Sequence, residues 1–199
     1  MDFNKNWIIE DEFGNKKIID LPYDAMIYES RDKLNVSGKD NAYFPGKKYT
    51  FTKTFNIDSL DYYYEILFEA CYQKATVYLN DKKIHYIANG YTEFIVCLND
   101  HLVIGENKLV VVADNRLTPN CRWYTGAGLY REVHFIKKKV HDIKNVKVET
   151  IDYQKGLINV DVDSINNPLI KIYYNEELVY QGDKGLININ NPKLLNNLY

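Results

Sequence analysis

The sequence has no long apolar run, little cysteine and no excess of charge of either sign. None of its 199 residues belongs to a stretch approaching the roughly 18 consecutive apolar residues of a membrane span. The amino terminus is acidic where a secretory signal is basic. Lys and Arg number 25 against 27 Asp and Glu, which builds neither the positive field of a nucleic-acid-binding protein nor a cationic face for membranes. We expect a cytoplasmic protein without nucleic-acid or membrane partners.

Cysteine and histidine are too sparse and scattered to predict a metal or redox site. Cys71, Cys97 and Cys121 lack the spacing of a metal knuckle or a CxxC pair, and we predict free thiols. The four histidines form no HxH or HExxH pair. The sequence also has no phosphate-cradling glycine loop and no GxSxG motif. We predict no metal and no cofactor.

Apolar and polar residues alternate with a period of two along most of the chain from residue 47, while residues 1–45 look irregular. No stretch shows a helical period, and Asn80-Asp81 is a strong hairpin-turn signal. The predicted strands are 48–55, 62–70, 75–79, 84–87, 94–98, 109–113, 132–137, 142–150, 157–163, 169–174 and 178–180. Core-facing positions in the first two strands are predicted to be Tyr49, Phe51, Phe55, Tyr64, Ile66, Phe68 and Ala70. This pattern is typical of an all-β antiparallel sandwich.

The segment Asn115–Val133 (NRLTPNCRWYTGAGLYREV) joins two predicted strands and holds the best candidates for ligand contact. Arg122 offers a forked set of N–H donors, and Trp123 and Tyr124 offer aromatic faces. A strand-bracketed loop with these groups suits a polar ring compound. We predict Arg122, Trp123 and Tyr124 as substrate-binding residues.

Five neighbouring residues are predicted to support this loop rather than to bind a ligand. Asp114 and Asn115 can satisfy turn backbone groups with their side chains. Gly126 and Gly128 permit backbone angles or close approaches that other residues resist. Arg131, directly before the next strand, is predicted to form a structural salt bridge.

Six short motifs, in this order along the chain, resemble the N-terminal region of glycoside hydrolase family 2, which includes β-galactosidases and β-glucuronidases. They are PGKKYTFTKTF at 45–55, ATVYLND at 75–81, GYTEF at 90–94, GENKL at 105–109, the Asp114-Asn115 pair that closes a strand, and RWYTGAGLYR at 122–131. LPYD at 21–24 is similar to a further segment near the start of these enzymes. The resemblance implies a sugar-binding, galactose-binding-like jelly-roll sandwich over residues 1–139. It also implies a small immunoglobulin-like sandwich over residues 140–199, truncated before its last strand or two.

The resemblance also implies that the catalytic residues lie elsewhere. Family 2 enzymes carry both catalytic glutamates on a TIM barrel that follows the immunoglobulin-like domain, and such a barrel alone takes about 250 residues. We therefore predict no catalytic residue in this chain. Asn175-Glu176 repeats the dipeptide that bears the family's acid/base, but its context, YYNEELVY, predicts a polar hairpin turn.

Three functions follow from these observations. The first is a non-catalytic N-terminal part of a retaining family 2 enzyme of carbohydrate metabolism, which would act on β-galactosides or β-glucuronides. The chain would then scaffold its own barrel and lend the Arg122 loop to the sugar pocket. Alternatively, Trp123 fills the joint between jelly roll and barrel, and Arg122 forms an ion pair between these domains. The second function is a free-standing carbohydrate-binding module, and the third is a purely structural or homo-oligomer interface domain.

Overall fold

The computed structural model describes residues 2–117, 123–139, 143, 145–164, 167–190 and 192. The chain divides into two compact units, Met1–Lys137 and Lys138–Tyr199. Each consists mainly of antiparallel strands joined by short turns. Among the helices of the described residues, none is long and apolar enough to cross a membrane.

Nine described strands begin in the first unit and form two sheets. They are β1 (Trp7–Glu10), β2 (Lys16–Ile19), β3 (Lys48–Ile57), β4 (Tyr62–Phe68), β5 (Ala75–Leu79), β6 (Lys82–Ile87), β7 (Phe94–Cys97), β8 (Gly105–Asp114) and β9 (Val133–Lys139). One sheet has the order β2-β1-β3-β8-β5-β6 and the other β7-β4-β9. Short 3₁₀ turns cover Met26–Tyr28, Gly38–Asn41 and Asn99–His101.

A continuous apolar core fills the space between these sheets. Every position predicted to face the core in the first two predicted strands is buried: Tyr49, Phe51, Phe55, Tyr64, Ile66, Phe68 and Ala70. Lys53 shares this face of β3 and is also buried. Its ammonium group donates to the Lys5 carbonyl oxygen, and burial lowers its pKa. The all-β sandwich predicted from alternation is therefore confirmed.

The prediction that residues 1–45 are irregular is wrong in part. β1 and β2 form a hairpin in which Trp7 pairs with Ile19, and β1 continues the sheet by pairing Ile8 with Thr52 of β3. Each of these strands has four residues, which is too short for alternation to stand out from chance. Pairing with the long strand β3 supplies the stability that local sequence does not.

The second unit contains five described strands. They are β10 (Asn145–Asp152), β11 (Leu157–Asp163), β12 (Ile170–Tyr174), β13 (Glu177–Gly182) and β14 (Gly185–Asn188). β10, β11 and β14 form one sheet in that order, and β12 pairs with β13. Asn175 and Glu176 lie in the turn of this pair at φ 45° and 69°, so the predicted hairpin turn is confirmed. That this unit is immunoglobulin-like stays a prediction.

Candidate functional site

The candidate loop leaves β8 and returns to the sandwich at β9. Its residues 118–122, and with them Arg122 and Cys121, lie outside the described residues. Trp123 is 85% exposed, whereas Tyr124 is 39% exposed. The loop therefore presents a large indole to solvent directly beside a tyrosine that is partly held in the protein.

Asp24 fixes the loop to the segment before the first 3₁₀ turn. Its Oδ2 accepts a hydrogen bond of 2.6 Å from the Tyr124 hydroxyl, and its Oδ1 accepts from the amides of Met26 (3.0 Å) and Ala127 (2.9 Å). The Ala25 amide also donates to the Ala127 carbonyl at 2.9 Å. Burial, and then the bond to Asp24, raise the pKa of Tyr124, so its hydroxyl stays a donor at neutral pH.

A buried amide network holds the loop from below. Asn115 is fully buried, and its side-chain nitrogen donates to the Gly126 carbonyl at 3.2 Å and to Thr125 Oγ1 at 3.4 Å. Gln73 donates to Asn115 Oδ1 at 3.1 Å, and the Thr125 hydroxyl lies 3.2 Å from Asn41 Oδ1. Buried amides satisfied in this way stabilise one loop conformation.

Two glycines allow the loop to approach its supports closely. Gly126 has φ +70°, and a Cβ there would lie 3.1 Å from Asp24 Oδ2. Gly128 has φ +90°, and a Cβ there would overlap the Phe51 ring. The backbone of Gly128 also bonds to Tyr72 in both directions, with Tyr72 N–H donating at 3.0 Å. Any other residue at 128 would therefore meet both angular strain and a steric clash.

The two charged residues predicted to support the loop behave differently. Asp114 binds the guanidinium of Arg116 through Nε (2.9 Å) and Nη2 (2.6 Å), and this pairing lowers the pKa of Asp114. Arg131 does not form the predicted salt bridge with any described residue. Its guanidinium instead lies 5.8 Å from the Tyr130 ring centre, a cation–π distance.

Asp24 and Asn41 were not predicted as site residues. Asp24 lies in the LPYD motif, so its position in a matched motif was the available signal. Asn41 lies in a segment without pattern, and its contact with Thr125 joins residues 84 positions apart. Sequence spacing cannot show such a contact.

The fold also brings Glu69 to two ligand-type side chains distant in sequence, Glu132 and His134. His134 Nε2 lies 3.0 Å from Glu69 Oε1 and 3.9 Å from Glu132 Oε2, on partly exposed strand ends. The ligand atoms lie within 4.8 Å of one another, a spacing that could hold a metal ion. Glu69 follows β4 and His134 lies in β9, so only the pairing of these strands brings them together. The absence of a metal site stays a prediction.

The loop geometry favours binding or packing over proton transfer. Both carboxylate oxygens of Asp24 accept hydrogen bonds within the protein, which suits a brace. Trp123 has its ring in solvent, available to stack on a sugar ring or to pack against another domain.

Comparisons with known proteins agree with this fold. The profile of the family described as "Glycosyl hydrolase 2 galactose-binding domain-like" matches residues 28–154, more than half of the chain. A putative beta-glucuronidase of Formosa agariphila is 26% identical over 199 residues, covering 92% of this chain and 19% of that protein. Beta-galactosidase BoGH2A of Bacteroides ovatus is 29% identical over 157 residues, covering 75% of this chain and 18% of that protein. The chain thus spans about a fifth of these relatives.

Solved structures show the same architecture. The crystal structure of a beta-glycosidase from Bacteroides vulgatus matches with a TM-score of 0.74 at 21% identity, covering 95% of this chain and 29% of that one. A glycosyl hydrolase family 2 member from Bacteroides cellulosilyticus matches with a TM-score of 0.72 at 20% identity, covering 96% and 28%. At these identities the likeness shows the fold, and it confirms the predicted jelly-roll sandwich.

Proposed function

Because this chain belongs to the glycosyl hydrolase 2 galactose-binding domain-like family, we propose that it is the non-catalytic N-terminal part of a retaining glycoside hydrolase. Its relatives are named as a beta-glucuronidase and a beta-galactosidase. The proposed substrates of the whole enzyme are accordingly β-glucuronides or β-galactosides, in carbohydrate metabolism. The proposed partner is the enzyme's own TIM barrel, which supplies the catalytic glutamates, and the proposed compartment is the cytoplasm.

The observation that carries this proposal is the contrast between Trp123 and its supports. Trp123 is 85% exposed, while Tyr124, Thr125 and Ala127 beside it are hydrogen-bonded to Asp24 or Asn41. An aromatic ring exposed beside a hydrogen-bonded loop is available to stack on a sugar ring or to pack against another domain. We propose that Trp123, Tyr124 and Arg122 line the sugar pocket once the barrel is present.

The first test is the native reading frame beyond the codon for Tyr199. We expect a (β/α)-patterned stretch with two glutamates placed for retention, about 5–5.5 Å apart in the folded barrel. We expect the 199-residue chain alone to leave aryl β-galactosides and β-glucuronides intact. A stop codon close to Tyr199, or turnover by the isolated chain, would overturn the proposal.

The second test separates the sugar pocket from a purely packing role. In the longer enzyme, Trp123→Ala is expected to raise KM by about tenfold with kcat changed less, because uniform binding is lost. Tyr86→Ala is the control, since Tyr86 is also an exposed aromatic residue (50% exposed) but lies on β6, away from the loop. An unchanged KM together with a lower unfolding temperature would assign Trp123 to the interface between jelly roll and barrel.

A further inference from the structure

The outer face of the three-stranded sheet carries an imidazole and two carboxylates at one end. Glu69 directly follows β4, and Glu132 and His134 stand on either side of Val133, where β9 begins. Residues two apart in extended chain share a face, and Val133 between them is buried in the core, so Glu132 and His134 both face outward. The Glu69 amide donates to the Glu132 carbonyl at 3.2 Å, which sets Glu69 beside this pair. We call the three side chains the Glu69 cluster.

The distances within the Glu69 cluster match the ligand shell of a small divalent ion. His134 Nε2 lies 3.0 Å from Glu69 Oε1 and 3.9 Å from Glu132 Oε2, and the three ligand atoms all lie within 4.8 Å of one another. Atoms that bind a tetrahedral zinc ion at about 2.0–2.2 Å are about 3.3–3.5 Å apart. All three side chains are partly exposed, so they can make the small shifts that remain, and an ion can reach them from solvent.

The charge of the cluster also suits a cation. The hydrogen bond with His134 lowers the pKa of Glu69, so this carboxyl is ionised at neutral pH. An ionised carboxylate only accepts hydrogen bonds, so a ring proton on His134 Nε2 now lies between the two groups. A divalent ion in the place of that proton would compensate both carboxylates of the cluster, with the ring proton moved to Nδ1.

The types of ligand atom select the class of ion. Ca²⁺ and Mg²⁺ take oxygen ligands, whereas an imidazole nitrogen favours ions such as Zn²⁺. The cluster contains no thiolate, so it does not favour the softest ions. One nitrogen and two carboxylate oxygens leave one position of a tetrahedral zinc ion for water, as in zinc sites with three protein ligands.

We propose that the Glu69 cluster is a zinc-binding site, in which His134 Nε2 and one oxygen each of Glu69 and Glu132 hold the ion. Glu132 is the next-to-last residue of the candidate loop, so the ion would clip the returning end of that loop to the end of β4. This inference does not depend on the proposed function. It goes against the sequence-based prediction of no metal, because that prediction considered spacing along the chain and the cluster forms only across two strands.

The test is a calorimetric titration of the 199-residue chain, free of any histidine tag, with ZnCl₂ at pH 7. The chain carries Cys97→Ser and Cys121→Ser, because Cys97 is exposed and thiolates compete for zinc. Cys71 is retained, since burial raises its pKa to about 12 and keeps it a thiol. We expect one zinc ion per chain with a roughly micromolar Kd, and at least about hundredfold weaker binding of Ca²⁺ and Mg²⁺.

Substitutions of the ligands should remove binding without unfolding the protein. His134→Gln and Glu69→Gln are each expected to weaken zinc binding by at least about tenfold. Without zinc, their unfolding temperatures should stay close to that of the parent chain, because exposed ion pairs contribute little to stability. His101→Gln and Glu65→Gln are the matched controls, since they remove an imidazole and a carboxylate outside the cluster, and neither should change the Kd.

Amide hydrogen exchange tests the clip itself. At a free zinc concentration of ten times the Kd, exchange of the Glu69 and Val133 amides should slow by about tenfold, because local opening must release the ion. The same concentration should not slow these amides in His134→Gln.

Several results would overturn the proposal. They are the absence of saturable zinc binding, full-strength binding by both His134→Gln and Glu69→Gln, and equal weakening by the two control variants. Each of the last two would mean an adventitious ion only. Binding of Ca²⁺ as tight as that of zinc would contradict the ion class, and unchanged exchange at Glu69 and Val133 in saturating zinc would contradict the clip. These measurements concern a metal site of this chain alone, so their failure is distinct from a failure of the longer enzyme to hydrolyse glycosides.

Discussion

The two units use the same kind of strand but bury very different amounts of apolar surface. In the first, one cluster runs from Phe3 to Val133 and includes fully buried Trp7, Phe51 and Ile66. In the described part of the second unit, the buried apolar side chains are Val160, Val162 and Ile187. Burial of apolar surface is the main favourable term in folding. Strand content alone therefore says little about how stable each unit is.

Strand β10 shows where the second unit differs. Val146 and Val148 lie on the same face of β10, as alternation predicts, yet they are 51% and 60% exposed. In the first unit the equivalent alternation in β4 places Tyr64, Ile66 and Phe68 at 1% exposure or less. Alternation thus identifies the apolar face of a strand, but a second sheet must cover that face before it stabilises anything.

The largest expected difference comes from one substitution made in both units. Ile66→Ala should lower the free energy of unfolding by about 4–5 kcal/mol, near the upper end for this substitution. The reason is that neighbouring side chains in the large core cannot move in to fill the cavity. Ile187→Ala should cost about 2 kcal/mol, since a small core has neighbours free to relax. Both residues are buried, at 0% and 1% exposure, so the comparison isolates packing.

This comparison needs separate probes for the two units. Both tryptophans, Trp7 and Trp123, lie in the first unit, so urea unfolding followed by fluorescence reports on Ile66→Ala. Amide hydrogen exchange in β11 and β14 reports on Ile187→Ala. Equal costs for the two variants would show that the second unit is packed as tightly as the first.

A pair of glycines gives the next largest contrast. Gly128→Ala should cost about 3–4 kcal/mol, because a positive φ and an overlap with the Phe51 ring act together. Gly185, in the second unit, has φ +122° but no atom within 4 Å of a Cβ built there. Gly185→Ala should therefore cost about 1–2 kcal/mol, from backbone strain alone. Tryptophan fluorescence measures the stability of Gly128→Ala, and amide hydrogen exchange measures that of Gly185→Ala. Equal losses of stability in the two variants would rule out steric overlap as the cause at Gly128.

The sequence predicts most strands of both units, but it misses β1 and β2 in the first unit and β14 (Gly185–Asn188) in the second. Long alternating runs, such as the one beginning at Tyr62, carry their own signal, and hairpin turns such as Asn80-Asp81 are set by local backbone preference. Strand β1 depends instead on pairing with β3. The exposure of Val146 also depends on what lies opposite. Such long-range effects leave no local pattern.

The candidate site was harder to predict than the fold. Glycines 126 and 128 are recognisable from the loop sequence, because residue type alone indicates their angular freedom. Asp24 and Asn41 act on the loop across about a hundred and about eighty positions, respectively.

Tyrosine hydroxyls supply a smaller contrast between the units. Tyr124→Phe removes the 2.6 Å bond to Asp24 and should cost about 1 kcal/mol, at the low end for a bond to a charged group because the site is partly solvated. Tyr173 in the second unit is 57% exposed, and Tyr173→Phe should change stability by less than about 0.5 kcal/mol. Urea unfolding measures the first and hydrogen exchange the second. An unchanged free energy of unfolding in Tyr124→Phe would mean that Asp24 holds the loop only through the backbone amide of Ala127.

The smallest expected effect is the response of Asp114 and Asp152 to acid. Arg116 lowers the pKa of Asp114 in the first unit, and the Lys155 amide lowers that of Asp152 in the second. A carboxyl with a lowered folded pKa stabilises above its unfolded value of about 3.9, and this contribution is lost as the pH falls through the folded value. Below about pH 4 the free energy of unfolding of the first unit should therefore fall less in Asp114→Asn than in the parent chain. The expected difference is at most about 1 kcal/mol. Asp152→Asn is the control. Asp152 lies in the second unit, on which tryptophan fluorescence does not report, so the urea midpoints of this variant should match those of the parent chain at every pH. If urea midpoints of Asp114→Asn and the parent chain fall in parallel with pH, the Arg116 pair contributes nothing to the stability of the first unit.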